Sequence, residues 1–377
     1  MSKLLKAAAL AMVVSFLPSL GYPAQAQPCE AAFSIVDTPN PAGASNELHG
    51  VAAISKADVW AVGSRVGAIG GATKTLAEHW NGSSWKTVPT VDPDTTGDSL
   101  GAVDGLGPND VWAVGQHGAF PHNEPLVEHW DGKSWTRVKA SVPGSAGLSD
   151  VKEVSPTSIW AIGASLPSPT PVIERSKGAG FSQQSVGSFG NSASLIGVDG
   201  LSRTDVWAVG SYFDASNIGH PLALHWNGST WSEVPALIPD GMSDATLRDV
   251  VEIASDDVWG AGFSVDPDGV DHTLVEHWTG SGWSVVASPS PVGRALLYGI
   301  AAINADHAYA VGVTGDINHP QPLAERWNGS SWSLVSMPSF AHPTKLFDVA
   351  TTAAGYVWIS GTTNRSAPKT VILQRCP

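Results

Sequence analysis

The residues of this chain that are best suited to chemistry recur at a regular spacing. A basic residue stands near the end of each copy of a Leu-x-Glu-His phrase, at His79, His129, Arg175, His225, His277, Arg326 and Arg375. Such a series suggests a metal or anion site. Metal ligands must converge within about 2.0–2.2 Å of the ion, however, and side chains from separate copies of a repeat lie far apart. We therefore predict that these residues make structural hydrogen bonds.

An acidic loop offers a second kind of chemistry. Its carboxylates Asp266, Asp268 and Asp271 alternate around Gly269, as in a calcium-binding loop. Calcium needs about six to eight oxygen ligands, and the loop lacks the distal bidentate Glu of an EF-hand. Asp-Pro-Asp-Gly is also an ordinary turn sequence. The sequence therefore predicts no cofactor and no metal site, with calcium at this loop as the alternative hypothesis.

The elements that must position these residues belong to one repeated phrase. It reads Asp-Val-Trp-Ala-Val-Gly, then a variable stretch, then Leu-x-Glu-His-Trp-Asn-Gly-Ser-Ser-Trp. Its aromatic anchor appears at Trp60, Trp112, Trp160, Trp207, Trp259, Tyr309 and Trp358. Trp60 and Trp358 are 298 residues apart over six intervals. A period of about 50 is typical of propeller blades rather than helical solenoids.

Each copy of the repeat has the pattern of four short strands. In the first copy they are Leu48–Ile54, Val59–Gly63, Leu76–Trp80 and Trp85–Val88, with an Asn-Gly turn before the last. Alternating apolar residues with many β-branched side chains favour strands. The predicted fold class is all-β, a seven-bladed β-propeller with four antiparallel strands per blade. The repeated Trp side chains, nearly all of the 16 Trp residues, are expected to pack between blades.

The two ends of the chain are predicted to meet in the last blade. Ile372–Cys376 matches a third strand, and no fourth strand follows it. Phe33–Pro39 resembles the fourth-strand segment Trp283–Pro289, so an N-terminal strand should complete the seventh blade. Cys29 and Cys376 are the only two cysteines and fall at this seam. We predict a disulfide bond between them, with two free thiols as the alternative.

The first residues have the pattern of a secretory signal peptide. Lys3 and Lys6 precede an apolar run, and Ala24-Gln25-Ala26 is a small-x-small cleavage signal. The predicted domains are a signal peptide at 1–26 and one propeller domain at 27–377. A lipoprotein anchor at Cys29 is the competing interpretation, and it is disfavoured because Gln and Pro precede that residue.

The charge of the chain bears on its partners. The signal peptide carries two Lys and no acidic residue, so its removal changes the formal net charge from −14 to −16. An acidic protein is a poor partner for nucleic acid or anionic membranes. No segment after the signal is apolar for long enough to cross a bilayer. We therefore expect a secreted, extracytoplasmic monomer without membrane insertion.

The repeat resembles those of secreted bacterial β-propellers with Kelch-like or sialidase-like blades. Kelch blades carry a Gly-Gly doublet after the second strand, and only Gly70-Gly71 matches it. A sialidase Asp-box would place Asp where Trp80 stands, five residues before Trp85. The resemblance therefore implies the architecture and no catalytic residue.

Candidate binding residues are those that differ from one copy of the repeat to the next. Loops after the second and fourth strands vary between blades, and one position at the start of the first strand also varies. Binding residues concentrate in such variable segments on a rigid scaffold. The predicted ligand-binding residues are His49, Arg248, Tyr298 and Phe347 near the axial mouth, and Tyr212, His272 and His319 in the second-strand loops.

The chain carries no linear catalytic motif. Gly-x-Ser-x-Gly, His-Glu-x-x-His and phosphate-loop sequences are absent. We therefore predict a non-catalytic binding module that recognises a glycan or a protein surface. Whether the protein is an enzyme stays open. The alternative is an extracellular lyase or hydrolase acting on a polysaccharide, with His and Tyr as acid and base at the axial mouth.

Overall fold

The computed structural model describes residues 31–377 apart from 44, 68–69, 94–96, 119–121, 143, 179 and 364–365. The signal peptide predicted at 1–26 and Cys29 lie outside the described residues. The cleavage site, the domain start at residue 27 and the Cys29–Cys376 bond therefore stay predictions.

Seven antiparallel four-stranded sheets make up the described chain, which contains no helix. Blade 1 consists of β2 (Ser45–Ser55), β3 (Asp58–Val66), β4 (Thr73–Trp80) and β5 (Trp85–Val88). Blade 2 consists of β6 (Asp98–Gly107), β7 (Asp110–His117), β8 (Glu124–Trp130) and β9 (Trp135–Arg137). Blade 3 consists of β10 (Ala146–Ser155), β11 (Ser158–Ser165), β12 (Pro171–Ser176) and β13 (Phe181–Gln183). Blade 4 consists of β14 (Ser192–Ser202), β15 (Asp205–Phe213), β16 (Gly219–Trp226) and β17 (Trp231–Glu233).

The remaining blades repeat this plan. Blade 5 consists of β18 (Asp244–Ala254), β19 (Asp257–Val265), β20 (Asp271–Trp278) and β21 (Trp283–Val285). Blade 6 consists of β22 (Ala295–Asn304), β23 (His307–Thr314), β24 (Gln321–Trp327) and β25 (Trp332–Leu334). Blade 7 consists of β26 (Thr344–Thr351), β27 (Val357–Thr363), β28 (Thr370–Arg375) and β1 (Ser34–Val36). The first strand of each blade contacts that of the next, and β2 contacts β26, which closes the ring. The seven-bladed propeller is confirmed.

The N-terminal strand completes the last blade as the sequence predicted. β1 pairs with β28 in antiparallel register, with Ser34 opposite Gln374. Phe33 contacts Tyr309 of the preceding blade edge to face, with ring centroids 6.0 Å apart. Trp332 contacts Trp259 in the same way one blade earlier. The ring is therefore closed by pairing between the two ends of the described chain.

The register of the last blade corrects one sequence alignment. Trp358 lies opposite Gln374, whereas Trp60 lies opposite His79 in the first blade. Gln374 therefore occupies the basic position of the third strand, and Arg375 occupies the position of Trp80. Arg375 instead donates a hydrogen bond of 2.7 Å to the Tyr309 hydroxyl. The alignment was wrong by one residue because the last strand has no Trp to fix its register.

The aromatic anchors form the core between blades. Trp60 is 1% exposed, and its ring lies 5.0 Å from that of Trp130 and 5.2 Å from that of Trp135, both in the next blade. Burying such large apolar surfaces is the main force that holds neighbouring blades together. The prediction that the repeated Trp side chains pack between blades is confirmed.

A β-bulge at the top of every first strand gives the ring its inner mouth. In blade 1 the register shifts between Leu48 and Gly50, which leaves His49 without a partner opposite. A Cβ added to Gly63 would stand 2.0 Å from the Glu47 carbonyl oxygen, so only Gly fits beside the bulge. The same shift occurs in the other six blades. Bulges re-aim a side chain, and here they direct one residue per blade towards the axis.

The hairpin between the third and fourth strands differs from the predicted tight turn. Trp80 pairs with Trp85, so four residues form the turn. Asn81 Oδ1 accepts hydrogen bonds from the Ser83 and Ser84 amides at 3.1 and 3.0 Å. Only Gly82 has a positive φ, of 92°. Asn is therefore used for its side-chain acceptor rather than for its tolerance of positive φ.

Candidate functional site

The bulged residues of all seven blades line one cavity at the axial mouth. This mouth cavity has a volume of about 130 Å³ and opens on the face that carries the variable loops. Its rim consists of His49, Gly101, Ser149, Ile196, Arg248, Tyr298 and Phe347. Four of the predicted binding residues, those of the variable first-strand position, are therefore brought together.

The large side chains of the rim form a continuous row on one half of the ring. The Arg248 guanidinium carbon lies 5.0 Å from the centroid of the Tyr298 ring. Tyr298 and Phe347 have ring centroids 6.0 Å apart, and the His49 ring meets Phe347 edge to face at 5.4 Å. The row crosses blades 5, 6, 7 and 1. It forms an aromatic and cationic surface that suits stacking against a ligand.

The opposite half of the rim carries no aromatic and no charged side chain. Gly101, Ser149 and Ile196 occupy the bulged positions of blades 2, 3 and 4. A shallow cavity of about 350 Å³ extends outwards over this half and is lined by His49, Gln116 and Ser149 among others. The mouth therefore combines a bulky wall on one side with an open shelf on the other.

Arg248 has an unusual environment within the row. Its guanidinium carbon also lies 5.9 Å from the centroid of the Phe263 ring, and the side chain is half-buried. Among the described residues it has no hydrogen-bond or ion-pair partner. Phe263 was missed by sequence reasoning because it stands on a second strand, directly after the Gly of the repeat phrase.

His49 is held by contacts on both ring nitrogens. Its Nδ1 lies 3.2 Å from the Leu100 carbonyl oxygen, and its Nε2 lies 3.5 Å from Glu47 Oε2. The hydrogen bond from His49 holds the pKa of Glu47 below its ordinary value, against the opposing effect of burial. Both nitrogens therefore face protein oxygens rather than the cavity.

Three carboxyl groups lie below the rim on alternate blades. Asp150, Asp249 and Asp348 line the mouth cavity and follow one another at intervals of 99 residues. Each accepts a hydrogen bond of 2.7–2.8 Å from a backbone amide of the next blade, namely that of Val198, Ile300 and Val51 respectively. Sequence reasoning missed these residues, although an Asp at every second repeat was a visible signal.

The carboxyl groups below the rim are costly to ionise. Burial raises the pKa of Asp150 and Asp249 well above the ordinary value, and the charge of a neighbouring Asp adds to the effect. Burial also raises the pKa of Asp348 to about 7. The side chains keep some contact with the open channel, but protein encloses them on all sides. We infer that their first role is to join blades.

Deeper in the channel a buried ion-pair network joins blades 2, 3 and 4. Lys152 Nζ lies 2.9 Å from Asp199 Oδ1 and 3.7 Å from Asp104 Oδ2. Burial disfavours the ammonium ion, but the charges of Asp104 and Asp199 outweigh burial and raise the pKa of Lys152. The surrounding channel cavity has a volume of about 380 Å³. Lys152, Asp104 and Asp199 satisfy one another, so we infer that this ion-pair network is structural.

The predicted loop residues are not brought to the mouth cavity. Tyr212 stacks on His220 at 5.0 Å within blade 4. His272 Nε2 lies 3.0 Å from Asp266 Oδ2, and the exposed His319 lies 3.3 Å from Asp316 Oδ1. Each of these side chains contacts a residue of its own blade and is absent from the lining of the mouth.

The carboxylates of the calcium hypothesis have other partners. Asp266 Oδ1 accepts hydrogen bonds of 2.9 Å from the amides of Asp268 and Val270, while Asp271 Oδ2 accepts one of 2.8 Å from Arg294 Nε. No group of three or more metal-ligating side chains occurs among the described residues. Calcium binding at this loop stays the alternative hypothesis, which calorimetry with calcium on the mature protein can test.

The basic residues of the third strands are structural, as predicted. In blade 1 the His79 ring stacks on Trp60 at 4.3 Å, and His79 Nε2 lies 2.8 Å from Asp58 Oδ1. The same Trp–His–Asp unit occurs in blades 2, 4 and 5. The repeated Asp therefore pairs with the third-strand His of its own blade.

No protein-family model matches the chain, and no curated protein sequence matches it. Solved structures of similar fold include YCF48 bound to a D1 peptide, with a TM-score of 0.58 and 14% identity over 94% of this chain and 100% of that chain. A PL25 ulvan lyase bound to -[GlcA(1-4)Rha3S]- has a TM-score of 0.57 and 11% identity, covering 90% and 94% of the two chains. At such identities the similarity shows a shared fold alone.

No helix among the described residues is long and apolar enough to span a membrane.

Proposed function

We propose that this protein is a secreted, non-catalytic binding module that recognises an extracellular glycan through its axial mouth. One observation carries the proposal: bulged residues from four neighbouring blades form the row Arg248–Tyr298–Phe347–His49 around a single cavity. Half-buried aromatic rings beside polar groups are typical of ligand sites. A protein surface is the other ligand class that this row suits.

Proteins of similar fold bind ligands of both classes. YCF48 is bound to a D1 peptide, and the ulvan lyase is bound to -[GlcA(1-4)Rha3S]-. A glycan is favoured here because the mouth cavity, of about 130 Å³, is small and adjoins an open shelf. A sugar ring can lie on the aromatic wall while the rest of the chain extends over the shelf.

Binding is favoured over catalysis by the state of His49. A general base needs a free nitrogen within hydrogen-bond reach of the proton that it removes. Both nitrogens of His49 lie close to protein oxygens, at 3.2 and 3.5 Å. The imidazole is therefore oriented as part of the rim, and it offers no free nitrogen to a substrate.

A polysaccharide lyase or hydrolase is the second candidate. The observation in its favour is that Tyr298 and His49 line the same cavity and both contact Phe347. A ligand that displaced Glu47 from His49 would create an acid–base pair. Turnover of a polysaccharide by the mature protein, abolished by Tyr298→Phe with binding retained, would replace the binding proposal by this one.

A glycan array on the purified mature protein tests the proposal. We expect binding to at least one glycan, lost in Tyr298→Ala and Phe347→Ala and retained in His272→Ala and His319→Ala, whose side chains lie outside the mouth. Thermal unfolding of each variant separates lost binding from lost fold. Silence on the array together with capture of a defined peptide would move the proposal to a protein ligand. Equal loss in all four variants would refute the axial mouth as the site.

We also propose export and a Cys29–Cys376 bond. Two observations support the bond: Cys376 directly follows β28, and β28 pairs with β1, the strand that begins five residues after Cys29 in the sequence. A loop that encloses almost the whole chain gives at most about 5 kcal/mol in the loop-entropy view. We expect the mature protein to begin at Gln27 and to resist alkylation until it is reduced. A mature N-terminus at Met1, or two alkylated thiols without reduction, would contradict these expectations.

A further inference from the structure

The Arg248 guanidinium lies against two aromatic rings and has no hydrogen bond or ion pair among the described residues. It lies 5.0 Å from the Tyr298 centroid and 5.9 Å from that of Phe263. Stacking fixes the plane of a guanidinium while its edge, with five N–H donors, stays available. Arg294, which lies on the same face, instead pairs with Asp271 at 2.8 Å. Arg248 is therefore a preoriented cation with free donors at the rim of the mouth cavity.

The carboxyl groups of the same cavity do not neutralise Arg248. Asp249 Oδ1 and Oδ2 each accept a hydrogen bond of 2.8 Å from a backbone amide. Asp348 uses its two oxygens in the same way, at 2.7 and 2.8 Å. None of the carboxyl groups of the mouth forms an ion pair with Arg248. Because burial raises their pKa values, these groups also repel an incoming anion less than ordinary carboxylates would.

We propose that Arg248 binds an acidic group, a carboxylate or a sulfate, carried by a sugar that stacks on Tyr298 and Phe347. The inference rests on the proposed function and names the ligand class: an acidic glycan. Arg forms paired, charge-assisted hydrogen bonds with such anions. A water molecule occupies about 30 Å³ of liquid, so a cavity of about 130 Å³ has room for one acidic group and its hydration. The sugar ring then lies against the wall above it.

The experiment compares acidic glycans with their neutral counterparts. The probes are oligogalacturonate and its methyl ester for a carboxylate, and dextran sulfate and dextran for a sulfate. Dissociation constants are measured for the wild-type mature protein and for Arg248→Gln, Arg248→Lys and Lys133→Gln. Lys133 is exposed on the opposite face, so its variant makes the same charge change away from the mouth. Thermal unfolding of each variant checks the fold.

We expect the wild-type protein to prefer one acidic probe over its neutral partner by about 10–100-fold, the range for hydrogen bonds to a charged group. Arg248→Gln should abolish that preference, because the side chain that pairs with the acidic group is then uncharged. Arg248→Lys should retain part of it, because an ammonium keeps the charge but not the planar pair of donors. Lys133→Gln should behave as wild type. Which acidic probe is preferred identifies the group as a carboxylate or a sulfate.

Other outcomes overturn the inference in distinguishable ways. If Arg248→Gln keeps the preference, or Lys133→Gln loses as much of it, the acidic group is bound elsewhere or by net charge. If acidic and neutral probes bind equally and Tyr298→Ala abolishes both, the mouth binds glycans without Arg248. That result removes the inference and leaves the proposed function. Binding of none of the four probes by the wild-type protein counts against both.

Discussion

The blade interior and the axial mouth are made from the same repeat, yet they differ in almost every respect. The interior uses one unit again and again, with Trp, His and Asp in fixed contact in four blades. The mouth has seven different residues at its equivalent bulged positions. Residues that recur are occupied by contacts within their own blade and, for the Trp, with the neighbouring blade. Residues that differ face the open axis, where they are not enclosed between two blades.

The difference follows from what each position touches. A side chain between two blades must fit surfaces on both sides, and close packing penalises any change of volume. The bulged residue has no strand partner opposite and points to the channel. A substitution there therefore changes the stability of the fold little. The mouth is therefore the part of the repeat that is free to specialise.

The largest expected effect contrasts Trp60 with Tyr298. Trp60→Ala removes a fully buried ring that contacts Trp130 and Trp135, and we expect a loss of about 3–5 kcal/mol in the free energy of unfolding. Tyr298→Ala removes a half-buried ring and should cost about 1 kcal/mol or less. Denaturant unfolding of both variants checks the contrast. Similar losses would mean that the mouth is part of the core.

The next effect is a difference in pH dependence between Glu78 and Glu47. Burial raises the pKa of Glu78 from 4.5 to about 8. The pKa of Glu78 is therefore higher in the folded protein than in the unfolded chain. Its contribution to the free energy of unfolding is fully present below pH 4.5 and is lost as pH rises towards 8. A pKa unit corresponds to about 1.4 kcal/mol, so we expect Glu78→Gln to remove a decline of up to a few kcal/mol over that range.

Glu47 should behave in the opposite way. The hydrogen bond from His49 lowers its pKa, so its contribution is present above its unfolded value and is lost as pH falls through the folded one. Glu47→Gln should therefore flatten the acid side of the stability profile and leave the alkaline side unchanged. Unfolding measured at a series of pH values for both variants tests the pair. If both substitutions flattened the same side of the stability–pH profile, the distinction between the two regions would be removed.

A smaller effect is expected from the repeated histidine. His79→Phe keeps the ring that stacks on Trp60 but leaves Asp58 without its partner at 2.8 Å. We expect a loss of about 1–2 kcal/mol, the cost of a broken, partly buried hydrogen bond. His319→Phe in an exposed loop is the matched control and should change stability by less than about 0.5 kcal/mol. Chemical unfolding curves for both variants give the comparison.

The smallest effect concerns the half of the rim formed by Gly101, Ser149 and Ile196. Ser149→Tyr adds a ring opposite Tyr298, and because the bulged position is free of packing we expect stability to change by about 0.5 kcal/mol or less. An aromatic contact adds about 0.5–1.5 kcal/mol, so affinity for the oligosaccharide that gives the strongest wild-type signal should rise by roughly two- to tenfold. Weaker binding would show that the ligand needs the open shelf.

Much of the fold was predictable because every copy of the repeat carries the same pattern of four strands. The fourth strand of blade 1 was predicted as Trp85–Val88 and is observed as Trp85–Val88. The first strand was predicted as Leu48–Ile54 but extends over Ser45–Ser55, because it continues to pair beyond the bulge. The last strand was aligned one residue out because its chain lacks the Trp that fixes register elsewhere.

The candidate site was predictable only in part. The variable position at the start of the first strand pointed to His49, Arg248, Tyr298 and Phe347, and these four residues do line one cavity. The same reasoning selected Tyr212, which stacks within its own blade instead. It missed Phe263, which reaches Arg248 from a neighbouring strand. Variation between repeats marks residues that are free of packing, but it does not say which of them meet.

The sequence by itself determined the number of blades, the anchors between them and the way in which the ends close the ring. These features depend on local patterns, because every copy must bury the same face against its neighbour. Only the tertiary structure decided which variable residues become neighbours. His49 and Phe347 are 298 residues apart in the chain, and ring closure brings their side chains to 5.4 Å. The direction of each bulge is likewise set by pairing with the second strand, which no single strand encodes.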